Sequence, residues 1–510
     1  MHLHWVVRGL LIVAALLSSA NALAQERSPL LPHTSEGYGY ESVVPEGWTD
    51  VGQGIFARQR DAKDPTLLAQ QSAPVSADEV LASLLPQLGL TAAPKSVGTH
   101  QGDTLEWTLY QVDVALGEGE VAVDLALSDV EATTYIVLLQ SAPDEHDALR
   151  ESIFLPTLNA FAPLVETVGV VPYRVEAVTF GNGDVTLAGT LTLPPTPGPH
   201  PAVVLVSGSG PQDRDETLGG GITIKPFRLL ADALTREGVA VLRYDDRGVG
   251  TSTGTFSKAV MSDFASDAGA AISYLLTREE IDPRQVGVLG HSEGGLVAAM
   301  LGAHNDDLDF IISLAGPSVN GRDLLLLQNQ RILEAEGATE EQIDAQLAFV
   351  EELTTVLDDP AAVEALIYAR TLEQAEALPD AQRAAIGDLE EYAHRMAEQA
   401  MSEFGTNWFA SFLAYDPAPD WAQTTVPVLA IFGGKDVQVD AEQNAPALED
   451  ALERAGNDDV EIAVLPNANH LFQEAETGSP SEYARLPAEF TPDLVPTIVT
   501  WLQTHLEIPI

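Results

Sequence analysis

The chain has 510 residues, enough for one large domain and a smaller one, each with its own core. Its 76 Asp and Glu outweigh 25 Lys and Arg, and the formal net charge of -51 repels nucleic acid and anionic membranes, which excludes both as partners. There is no cysteine, so disulfides, thiolate metal sites, a lipid-modified cysteine and a cysteine nucleophile are all closed off.

Only five of the basic residues are lysines. Such a surface is expected of a salt-adapted protein, whose carboxylates stay hydrated while salt screens their repulsion; plain solubility is the alternative explanation. Residues 1–25 read as a secretory signal peptide, with Arg8 near the start, an apolar run at 10–17 and the cleavage pattern Ala22-Leu23-Ala24. That run is too short for a permanent anchor. No other stretch is of membrane length, so an exported, periplasmic or extracellular location without a stable membrane span is expected.

Residues 28–165 read as a small α+β domain. Runs at 54–58, 104–114, 120–127 and 133–139 alternate or are β-branched, whereas 77–88 and 144–155 have helical spacing. With Val44-Pro45-Glu46-Gly47-Trp48 at its start, this domain loosely resembles the PsbP-like fold. No constellation of His, Asp, Glu or Ser stands out in it, and it reads as a packing or interaction module.

The second domain, 173–510, opens with a hairpin, 174–180 and 185–193 around Gly181-Asn182-Gly183-Asp184. Apolar strand runs at 202–206, 239–244, 286–289 and 310–314 then alternate with helical stretches at 227–237, 261–277 and 296–302. Such alternation predicts a mostly parallel sheet with helices on both faces. Residues 318–415 interrupt the rhythm as a helical insertion, expected to cap the strand ends, and Trp408, Phe409, Phe412 and Tyr415 near its end are expected to line a substrate pocket. Strands at 426–432 and 460–465 and helices at 445–455 and 494–505 complete the pattern.

Chemistry centres on Gly290-His291-Ser292-Glu293-Gly294, a G-x-S-x-G between a strand and a helix. Holding a serine hydroxyl above the end of a buried strand requires a tight turn with chain close on both sides, which the two glycines permit. A serine is a poor nucleophile until a base takes its proton. Downstream, Gly433-Gly434-Lys435-Asp436 leaves one strand and Asn467-Ala468-Asn469-His470 the next, so His470 is the expected base and Asp436 the acid that orients it. Asp440, in the same loop as Asp436, is the fallback acid. For the oxyanion, the backbone N–H of Glu293 and that of Ser209, in Val206-Ser207-Gly208-Ser209-Gly210 after the first buried strand, are the expected donors.

Gly208-Ser209-Gly210-Pro211-Gln212-Asp213-Arg214-Asp215-Glu216, Lys225-Pro226-Phe227 and Leu242-Arg243-Tyr244-Asp245-Asp246-Arg247-Gly248-Val249-Gly250, taken with the serine motif, resemble the bacterial α/β-hydrolase carboxylesterases related to serine aminopeptidases and prolyl oligopeptidases. The resemblance covers about 173–505. It implies an α/β-hydrolase fold, a triad of Ser292, Asp436 and His470, hydrolysis of short-chain acyl esters as small-molecule substrates, and no cofactor or metal. Ser207 departs from it, since many relatives carry histidine there. Arg214 with Asp215, and Asp246 with Arg247, read as structural ion pairs. Amide hydrolysis by the same groups is the second reading, and a non-enzymatic exported binding protein the third. Oligomeric state is not legible.

Overall fold

The computed structural model describes residues 29–508 except 36–37, 53, 60–63, 74–75, 85–92, 117–118, 131–132, 165–170, 220–221, 358, 379–382 and 384–385. The expected signal at 1–25 lies outside the described residues. Two compact units make up the chain: Met1–Thr167 with Leu218–Thr223 and Ile367–Glu398, and Val168–Thr217 with Ile224–Leu366 and Gln399–Ile510. The middle of the helical insertion, Ile367–Glu398, thus belongs with the first unit, a grouping that sequence patterning does not reveal.

The first unit is built on a seven-stranded antiparallel sheet in the order Thr49–Gly52, Ile55–Ala57, Leu67–Ala73, Thr133–Ser141, Gly119–Val130, Glu106–Leu116, Gly98–Gln101. Both faces carry apolar residues. Val80, Leu81 and Leu84 of the helix Ala77–Leu84 pack with one face, and Leu149, Ile153, Phe154 and Leu158 of the helical run 143–160 with the other. Leu30–Ser35, Tyr40–Pro45 and Ala162–Pro163 form a separate small sheet.

An eight-stranded sheet organises the second unit. Its strands are β1 (Arg174–Asn182), β2 (Val185–Leu193), β3 (His200–Val206), β4 (Ala240–Tyr244), β5 (Ile281–His291), β6 (Phe310–Leu314), β7 (Val428–Gly433) and β8 (Val460–Leu465), in the spatial order β1-β2-β4-β3-β5-β6-β7-β8. β1 and β2 form the expected hairpin, with Gly183 at φ +58 in its turn. From β4 to β8 every pairing is parallel. β3, β6 and β7 are buried along their whole length, which explains why their sequences run apolar without alternation. On one face Phe227, Leu230 and Leu234 of the helix Pro226–Arg236 and Ile498, Trp501 and Leu502 of Leu494–His505 complete a single core with Leu205, Val241, Leu289 and Ile431. The parallel arrangement brings the ends of β3, β5, β7 and β8, and the loops that leave them, to one edge, where open α/β sheets place their ligands.

Between β6 and β7 the insertion is helical, as its sequence anticipates: Gly321–Ala335, Glu340–Val356, Pro360–Glu376, Leu389–Phe404 and Asn407–Ala414. At its base the first and last of these helices touch. A Cβ on Gly321 would lie 2.6 Å from the Cα of Leu413, so glycine is required there for the two backbones to meet.

Candidate active site

Ser292 follows the end of β5 at φ +54 and ψ -119, a conformation that L residues rarely adopt and that persists only where the surroundings enforce it. Close backbone contact does so. A Cβ on Gly290 would meet the Gly294 carbonyl oxygen at 2.0 Å, and one on Gly294 would meet that of Val206 at 2.1 Å. The Ser292 N–H donates to the Leu314 carbonyl at 2.9 Å, which ties the turn to the end of β6. The helix Glu293–His304 then starts at once, with its N-terminus at the serine.

The loop after β3 runs beside this turn. A Cβ on Gly208 would come 3.2 Å from that of Ser292, so a side chain there would crowd the serine. The Gly208 N–H is already taken by Glu216 Oε1 at 2.8 Å. By contrast, among the described residues no acceptor takes the backbone N–H of Ser209 or of Glu293. These are the two donors that the sequence motifs single out for an oxyanion.

Asp436 and His470 meet on the loops after β7 and β8. His470 Nδ1 lies 2.8 Å from Asp436 Oδ2, and both side chains are buried. The other carboxylate oxygen accepts the N–H groups of Gln438 and Val439, at 2.7 and 2.9 Å, so the acid is fixed on both sides. Asp440 does other work. It caps the helix Ala441–Ala455 through the Gln443 N–H and pairs with Arg331 at 3.0 Å.

Two further groups, whose roles spacing alone does not reveal, are joined to these. His291 donates from Nε2 to the His470 carbonyl at 2.9 Å and meets Glu216 Oε1 through Nδ1 at 2.7 Å. Burial disfavours the His291 imidazolium, but the charge and hydrogen bond of Glu216 outweigh it and raise the pKa above the ordinary value. Glu293, next to the serine, accepts from Trp408 Nε1 at 3.0 Å, and the Ser209 hydroxyl favours its charged form. Burial pushes its carboxyl up to about 7, against the pull of those two groups.

The aromatic residues of the insertion divide. Trp408, Phe409 and Phe412 are buried on the helix Asn407–Ala414, with Trp408 against Phe256 at 5.5 Å between ring centroids and against Glu293. Tyr415 turns aside and donates to Asp420 at 2.6 Å. The expected ion pairs exist with other partners: Arg214 grips Asp245 at 2.6 Å, Asp215 faces Arg243 at 2.9 Å, and Arg247 pairs with Asp267 at 2.7 Å. Asp246 instead accepts from the Gln212 N–H and the Ser207 hydroxyl, which assigns the departing Ser207 a bond of its own. In the first unit, Ser141, His146 and Asp124 form a bonded chain at 2.7 and 3.0 Å that no spacing suggested. It is sealed from solvent and closed by Arg150, so it serves packing.

Comparison with known proteins places this site in a family. The model of the alpha/beta hydrolase family matches residues 203–486. Esterase EstD of Thermotoga maritima is 30% identical over 329 residues, which cover 64% of this chain and 68% of EstD. Among solved structures, esterase Pf2001 of Pyrococcus furiosus aligns at 17% identity and a TM-score of 0.40, over 66% of this chain and 93% of its own. A dienelactone hydrolase from Anabaena variabilis aligns at 17% identity and a TM-score of 0.34, over 66% and 100%. A family model that spans more than half of the chain, and a relative matched over two thirds of its own length, set aside the non-enzymatic reading: the chain belongs to the alpha/beta hydrolase family and is a hydrolase.

Proposed function

We propose that this hydrolase is a serine carboxylesterase that cleaves short-chain acyl esters through an acyl-enzyme. The observation that carries the reading is the anchoring of His470. Its ring is bonded to Asp436, and its backbone to the residue immediately before Ser292. The 30% identity to a protein named an esterase supports an ester substrate.

In this reading Asp436 holds the Nδ1–H tautomer, which leaves His470 Nε2 free to accept a proton. As Ser292 Oγ bonds to the ester carbonyl carbon, its proton passes to Nε2 and the carbonyl π pair moves to oxygen. The oxyanion is met by the open N–H groups of Ser209 and Glu293. Collapse breaks the carbon–oxygen bond to the alcohol, which leaves with the proton from His470. Water then repeats the sequence on the acyl-enzyme and releases the acid. The buried aromatics Trp408, Phe409 and Phe412 belong to the wall beside the acyl group.

The kinship to serine aminopeptidases and prolyl oligopeptidases, export under the 1–25 signal, adaptation to salt, and a packing or interaction role for a PsbP-like first unit belong to the same proposal. Turnover of p-nitrophenyl acetate and butyrate against an aminoacyl p-nitroanilide, with Ser292→Ala as control, tests it. Ester turnover lost in the variant supports it. Amide turnover of equal efficiency would replace the esterase by a peptidase, and ester turnover that survives Ser292→Ala would remove the serine mechanism.

A further inference from the structure

The Glu293 side chain has no place in the mechanism above, yet it is buried beside the serine with both carboxylate oxygens engaged. An acidic residue is a costly choice there. A negative charge next to a developing oxyanion opposes the reaction, and burying a carboxyl without partners is unfavourable in itself. The partners explain its presence. Trp408 Nε1 lies 3.0 Å from each oxygen, and the Ser209 hydroxyl favours the charged form. Among the described residues no acceptor takes the backbone N–H of Ser209 or of Glu293, the two groups assigned to the oxyanion. One carboxyl group therefore links the start of the helix Glu293–His304 to the insertion helix Asn407–Ala414.

That insertion helix is seated by further contacts. Ser411 Oγ accepts the Met261 N–H at 3.0 Å, and the Asn407 side chain donates to the Lys258 carbonyl at 3.3 Å. Phe256 packs on the Trp408 ring. The indole N–H is thus held at a set position over the serine turn and is free to choose no other acceptor.

We propose that the Glu293 side chain is a positioning residue: it fixes the place of the Glu293 N–H, and so its spacing from the Ser209 N–H, and makes that spacing depend on the seating of Asn407–Ala414 through Trp408. The inference rests on the oxyanion assignment made under Proposed function. A positioning role of this kind acts on the transition state, since the spacing matters only once the oxygen carries charge.

The test is steady-state kinetics on p-nitrophenyl butyrate with the full chain and the variants Glu293→Gln, Glu293→Ala and Trp408→Phe. Glu293→Ala is expected to lower kcat about 10- to 100-fold with KM within about twofold. Trp408→Phe, which deletes the indole donor but keeps an aromatic ring, is expected to lower kcat about fivefold, also with KM little changed. Glu293→Gln keeps an acceptor for Trp408 and should stay within about threefold of the wild type. Wild-type kcat in Trp408→Phe, or Glu293→Gln as impaired as Glu293→Ala, would overturn the inference, as would losses that fall on KM alone. These outcomes are separable from failure of the esterase reading, which shows as wild type without ester turnover or as Ser292→Ala with it.

Discussion

His291 reaches past Ser292 to hold the backbone of His470: its Nε2 donates to the His470 carbonyl at 2.9 Å while its Nδ1 meets Glu216 Oε1 at 2.7 Å. A carbonyl only accepts, so Nε2 carries a hydrogen, and the Glu216 charge beside Nδ1 favours the imidazolium. His291 is buried and paired with Glu216, whose same oxygen binds the Gly208 N–H. The pair ties the β3 loop, the serine turn and the base loop together.

Breaking such a pair leaves a charge buried alone. Glu216→Gln is expected to cost about 3–5 kcal/mol in urea denaturation and to lower kcat with it. Because the folded pKa of His291 is raised above 6.5, its contribution is fully present below pH 6.5 and is lost as pH rises through the folded value. The wild type should therefore lose stability with rising pH relative to the double variant Glu216→Gln/His291→Gln. Parallel pH dependences, or a cost below about 1 kcal/mol for the single variant, would contradict the ion pair.

Asp436 and Asp440 separate the two acids that the β7 loop offers. Asp436→Asn keeps the Oδ1 contacts to Gln438 and Val439 but turns an amide N–H toward His470 Nδ1, which enforces the wrong tautomer. An expected fall of about 10^3- to 10^4-fold in kcat follows. Asp440→Asn retains a helix cap and should leave kcat within about twofold, with stability changed by about 1 kcal/mol or less. Ester assays on both variants check this, and comparable losses in the two would reverse the assignment.

Most of the proposed catalytic frame is placed by features local in sequence. Gly290 and Gly294 bracket Ser292, Asp436 follows the apolar run of the buried β7, and His470 follows β8 at the edge of the sheet. What stayed hidden is set by long-range pairing. His291 and Glu216 are 75 residues apart and meet only because β5 lies beside β3. Arg214 and Asp215 are adjacent, so they read as one pair, yet the loop turns their side chains to Asp245 and Arg243. Asp124 and His146 bond across 22 residues, for the strand Gly119–Val130 and the helix after Thr133–Ser141 pack only in the folded first unit.

Glu293 supplies a pH test that does not depend on turnover. Burial holds its carboxyl at about 7 in the folded chain against an ordinary value of 4.5. The folded state keeps the proton longer, so stability is full below pH 4.5 and declines as pH rises to 7. Relative to Glu293→Gln, the wild type should lose on the order of 3 kcal/mol across that window. Asp246, also pushed up by burial, is raised further by the Glu293 charge, so the difference between the two proteins includes that coupling. Urea denaturation of the pair at pH 5 and pH 8 makes the comparison, and an unchanged difference would mean that Glu293 ionises freely where it sits.

The charge of -51 sets the last expectation. At low salt these carboxylates repel one another over about 10 Å or more, and the compact state concentrates them, whereas at molar salt the range shrinks to about 3 Å. Folding is therefore opposed most where screening is weakest, and Tm should rise by about 10 °C between 0.05 and 2 M sodium chloride. Chloride is the salt to use, because sulfate strengthens apolar burial whatever the surface charge. A surface serving solubility alone, in a fold held by core packing, predicts a flat response instead. Repeating the melt at pH 5, where protonation begins to relieve the repulsion, should shrink the salt effect if charge is its cause.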